Sequence, residues 1–271
     1  MDPRELLDTR EGPDLEEWAT RHLQVTKPTM LRVARKSGEL AVPPAESWLG
    51  RVDKKSGIFT TSEQVQLLAQ VAADNLRAVN TSLKTHVPLF ALYSLTRSAM
   101  EASSIGLWLL DAKSEDLAAS RTLRVVRQNN ESDRILWKTV VGRETTRHDE
   151  RAARARSLHD RLDGIHPSNF EMAVKSTAVI TSVDAKHPCE SKDLDVFPGL
   201  EVWRLCSAVS HANQMSLMNI LERNPDAPLG QAARRTSRLS YIVAMHSSAL
   251  HRSNLLIDIY LHRSRPRRTQ K

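Results

Sequence analysis

The chain has 271 residues, of which 40% are hydrophobic, 26% charged and 4% aromatic, with a formal net charge of +7 and a pI near 9.6. This is an ordinary globular balance, and the scarcity of aromatics argues against an aromatic-rich β-sandwich or a base-stacking sheet, so an aliphatic core is expected. The basic excess gives mild support to contacts with polyanions and no more.

Along the chain, a short helix around Leu15 to Leu23 is expected first, followed by Pro28, Gly38, Pro43, Pro44, Gly50 and Gly57. That punctuation predicts an irregular N-terminal arm over 1–59, pinned to the body by Trp18 and Trp48. Thr60 and Glu63 have capping-box spacing, and Val65, Leu68, Ala72, Leu76 and Val79 recur with helical period, so a first long helix starts there. Pro88 suits the first turn of the next helix, which runs to about Asp111 and is apolar on nearly every face. Long enough to cross a bilayer, it carries Arg97 and Glu101 near its middle, which predicts a central core helix and no membrane partner.

Ser114, followed by Glu115 and Asp116, predicts the N-cap of a third helix. The alternating charges from Arg143 to Leu162 predict a solvated helix ended by Gly164 and Pro167. Residues Lys175 to Gly199 read as a loop, because Thr177 to Thr181 has strand character that Pro188 and Pro198 interrupt. Two further helices are expected, from about Leu200 to Arg223 and Leu229 to His262, before a basic tail over 263–271. The expectation is therefore an all-α fold: one bundle of about five long helices over 60–262 with an arm on its side.

Cys189 and Cys206 form no C-x-x-C pair, which leaves no cysteine-based zinc pattern and suggests a reducing compartment. Acids in Met1 to Glu5 do not suit a cleaved signal peptide, so a cytoplasmic protein is expected. His246 and His251 are five apart and make no H-E-x-x-H pair, and arginines interleave Glu144, Asp149 and Glu150, so no metal is expected. Neither a phosphate-binding glycine loop nor a G-x-S-x-G elbow occurs, and no cofactor is expected.

One segment carries a pattern with chemistry in it, Trp203-Arg204-Leu205-Cys206-Ser207-Ala208-Val209-Ser210-His211. Seven residues of helix turn through about 700° and rise roughly 10 Å, so Arg204 and His211 share a face with Ser207 between them. An imidazole that moves protons beside a guanidinium that stabilises phosphoryl oxygens suits a phosphodiester. The Arg204-x6-His211 spacing resembles the R-x4–6-H motif of the HEPN superfamily, helical domains found in ribonuclease toxins and phage-defence proteins. Arg97 and Glu101, with Trp108 to Asp111, resemble the R-x-x-x-E helix of a helical family common in actinobacteria that also carries a late R-L-x-S-x-x-x-H segment.

The resemblance implies a metal-independent endoribonuclease used in defence or growth control, working as a homodimer on RNA and accompanied by a protein antitoxin or partner. Arg204 and His211 would be catalytic, with Ser207 orienting substrate or imidazole and Glu101 and Arg97 supporting them. Leu205 stands where active members of the superfamily usually carry a polar residue. The alternative is a non-catalytic helical protein-interaction module, in which Arg97 and Glu101 satisfy each other as an i,i+4 pair.

Overall fold

The computed structural model describes residues 13–85, 90–142, 146–188, 197–214, 216–217, 221–222, 236–237 and 239–266. Their architecture is helical: α1 Pro13–Gly38, α2 Trp48–Ser56, α3 Thr61–Thr85, α4 Ala91–Leu110, α5 Glu115–Val141, α6 Thr146–His159, α7 Ser176–Lys186, α8 Gly199–Ser210 and α9 Leu239–Arg263. A 3-10 turn spans Pro167–Glu171, and the two-residue strands Leu221–Glu222 and Thr236–Ser237 pair antiparallel. Among the described residues no helix is long and apolar enough to cross a membrane.

Nine helices stand among the described residues against about five long ones expected, and three of the nine come from two sources, segments read as irregular. The expected irregular arm is instead α1 and α2. Buried Ala19, His22, Thr26, Met30, Val33 and Ser37 recur at intervals of three and four, which is one helical face, and Pro28 lies exposed on another. A proline inside a helix costs about 3 kcal/mol; the stripe packed against α9 and α3 offsets it, because Met30 and Val33 belong to the main core cluster. The second source is α7, expected as a loop. Val179, Ile180 and Val183 bury one face of it toward α4, so packing overrides the strand preference of its β-branched residues.

Helix α4 is central as expected, with α3, α9, α8 and α7 packed around it. Pro88 lies outside the described residues. Small residues let α4 approach α9 closely: the Ser103 and Ser253 hydroxyls meet at 2.7 Å, and a Cβ on Gly106 would come within 2.8 Å of the Leu256 side chain. Ser114 caps α5 as read from sequence, accepting from the Leu117 N–H at 3.2 Å, and Gly142 ends the helix in the left-handed region with φ 74°. The charged segment forms α6, which ends at His159, before the expected Leu162. At the far end, Arg263 is still helical and its guanidinium stacks over Trp48 at 4.1 Å, so the expected tail begins as a contact with α2.

Candidate functional site

Helix α8 starts and stops for local reasons that decide where its side chains point. Both carboxylate oxygens of Asp184, on α7, accept from its first N–H groups, Gly199 at 3.1 Å and Leu200 at 2.9 Å. Asp184 also pairs with Arg252 of α9, whose guanidinium is buried. One carboxylate thus ties α7, α8 and α9 together. A side chain at position 199 has no room, since its Cβ would lie 2.6 Å from Arg252 Nη2.

The expected helix from Leu200 to Arg223 breaks at Ser210. The Ala212 N–H donates to Val209 O at 3.0 Å and the Asn213 N–H to Ala208 O at 2.9 Å, the two bonds of a Schellman cap, with Ala212 at φ 54° where glycine is usual. Asn213 then caps a new helical segment, its side chain accepting from the Ser216 N–H at 3.1 Å. His211 therefore caps α8 rather than lying within it, and it sits at a helix–turn–helix corner.

Arg204 and His211 are both exposed, and Ser207 between them is half-buried. Ser207 meets His211 through the backbone, its carbonyl accepting the His211 N–H at 3.0 Å. Behind this face, α8 is laced to α4. The Ser210 and Ser94 hydroxyls lie 2.8 Å apart, and Trp203 Nε1–H donates to Glu101 at 3.1 Å. Glu101 also accepts from the Ser176 hydroxyl at the start of α7. The Arg97 guanidinium lies over the Trp203 ring, 5.0 Å from its centroid, and its buried Nε has no hydrogen-bond partner among the described residues.

Arg97 and Glu101 thus act on Trp203 instead of closing on each other as the i,i+4 pair of the alternative reading. They orient the residue next to Arg204. Beneath them Cys206 is buried with its sulfur 3.6 Å from Met245 Sδ, and burial pushes its thiol up to about 12, so it is held protonated and unreactive. Cys189 lies outside the described residues.

Two parts of this arrangement were not read from sequence: Trp203 as the link between α8 and the Arg97–Glu101 helix, and the Asp184–Arg252 pair. The available signal for the second was an arginine inside the apolar run of α9. Its carboxylate partner lay in the segment read as a loop, so nothing in the chain's order pointed to it. Comparison of the chain with family models, with curated proteins and with solved structures finds no match.

Proposed function

We propose that this chain is a HEPN-like, metal-independent endoribonuclease, a cytoplasmic homodimer acting in defence or growth control, with Arg204 and His211 as its catalytic pair. The reading is carried by one observation: both side chains reach water, Arg204 from the middle of α8 and His211 from its C-cap, on a helix that Glu101 and Arg97 brace through Trp203. His211 in its neutral form takes the proton of a ribose 2′-hydroxyl, and the 2′ oxygen attacks phosphorus. The P–O5′ bond breaks, leaving a 2′,3′-cyclic phosphate, while an imidazolium from a second copy protonates the departing 5′ oxygen. Arg204 neutralises the charge that builds on the non-bridging oxygens. Ser207 orients the imidazole or the substrate, and a protein antitoxin would silence the pair by covering it.

Total RNA incubated with the full-length protein in chelator tests this. Cleavage to 2′,3′-cyclic ends is expected, and His211→Ala and Arg204→Ala should each slow it by roughly 100-fold or more. Cleavage that survives His211→Ala removes the proposed site.

A second reading, the non-catalytic interaction module, is favoured by a different surface. Leu136, Trp137, Val140 and Val141 near the end of α5 are all exposed, and they fall within an arc of about 140° on one helical face. Absence of cleavage by wild-type and variant proteins alike supports that reading.

A further inference from the structure

At the opposite end of α4 from His211, a cavity of about 450 Å³ opens between the C-terminus of α4, the first turns of α5 and the C-terminal half of α7. Three cations line it, Arg121, Lys113 and Lys186, against one carboxylate, Asp111. That carboxylate is already engaged, by Lys186 Nζ at 3.0 Å and His187 Nε2 at 2.6 Å. Arg121 has no ion pair among the described residues. It donates one N–H to the Trp108 carbonyl and stacks on the Trp108 ring at 4.7 Å, and its other N–H groups make no hydrogen bond there. Arg124 stands over the same ring at 5.6 Å and adds a further positive charge.

A guanidinium withdrawn from water with no carboxylate bonded to it is costly; burial lowers Arg121 to about 10, with the Asp111 charge opposing and the Arg124 charge adding to the shift. The carbonyl contact explains where Arg121 rests, since Trp108 belongs to the last turn of α4, whose carbonyls need outside donors. It leaves the surplus of charge unexplained. Leu117, Val183 and Ala185 supply an apolar wall beside the cations, and the lining charges of +3 and −1 leave +2. A dianion with an apolar body matches both features, and a phosphate monoester carries about −1.5 to −2 at neutral pH.

We propose that this cavity binds a phosphate monoester, its oxygens held by Arg121 and Lys186 and its organic part set against Leu117 and Val183. The site is independent of the ribonuclease reading. Seventeen residues of α4 separate Asp111 from Ser94, which touches Ser210, and at about 1.5 Å per residue that is roughly 25 Å.

Phenyl phosphate titrated into the full chain by calorimetry is the first arm, with inorganic phosphate and phenol as the polar and apolar halves alone. A second arm compares a 5′-phosphorylated with a 5′-hydroxyl oligoribonucleotide, which separates a free ester from a strand terminus as the source of the group. Phenyl phosphate should bind more tightly than either half and raise the melting temperature. Arg121→Met should weaken it at least tenfold, and so should Ala185→Trp, which fills the mouth of the cavity from an exposed position without touching a charge. Melting curves without ligand show whether each variant is folded. No heat and no thermal shift with millimolar phenyl phosphate would overturn the proposal, as would folded Arg121→Met or Ala185→Trp binding as tightly as wild type.

Discussion

His246 sits in the first half of α9, 1% exposed, facing the Leu76 backbone of α3 and His22 of α1. Burial pushes its pKa down to about 4; the charge on His22 pushes the same way and the Leu76 carbonyl opposes. In the unfolded chain an imidazole titrates near 6.5, so between about pH 6.5 and 4 the unfolded state binds the extra proton. Stability from keeping this ring neutral is complete above the upper value and lost as pH falls through the lower. The total is on the order of 3 kcal/mol. His246→Leu should flatten the acid limb of a stability–pH curve measured by urea denaturation; an unchanged limb would assign the loss to another group. The sequence shows a histidine in an apolar helix and no sign that its ring is buried. The third dimension buries it, because α1 covers a side of α9 that the sequence left open.

Among elements, α8 shows how little separates one long helix from two. From Leu200 to Arg223 no proline or glycine interrupts the chain, and helical periodicity carries through. The break comes at Ala212, which takes a left-handed conformation at a cost of about 1 kcal/mol so that two carbonyls at the helix end are satisfied. Ala212→Gly should therefore raise stability by about 0.5–1 kcal/mol in chemical denaturation, where glycine in a continuous helix would lower it by a similar amount. The sign of that change distinguishes the corner from the uninterrupted helix. Helices α1 and α7 teach the converse. Pro28 and the β-branched run in α7 are local arguments against helix, and each loses to a buried face that only packing supplies.

At the scale of the whole molecule, Asp184 joins three helices through two N–H caps and one buried guanidinium. Asp184→Ala should cost about 3–5 kcal/mol, because it strands the Arg252 charge as well as the α8 terminus. Asp184→Leu combined with Arg252→Met should recover much of that loss, since no unpaired charge remains. Equilibrium unfolding of the two single variants and the double variant reads the coupling directly; strictly additive losses would mean the pair is not coupled. If α8 loosens in Asp184→Ala, Trp203 and Arg204 move together relative to Glu101 on α4, even though the substitution touches none of them.

The helical class, the central place of α4 and the Ser114 cap follow from sequence alone, because periodicity and capping chemistry depend on residues only a few positions apart. The spacing of Arg204, Ser207 and His211 is legible as a helical repeat, but where His211 sits depends on the corner at Ala212, which the repeat does not announce. Tertiary structure alone decided that Glu101 and Arg97 serve Trp203 instead of each other, that Asp184 answers Arg252, and that three cations share one cavity. Those partners lie tens of residues apart in the chain, and a carboxylate or guanidinium leaving water is held by whatever opposite or polar group packing brings within reach.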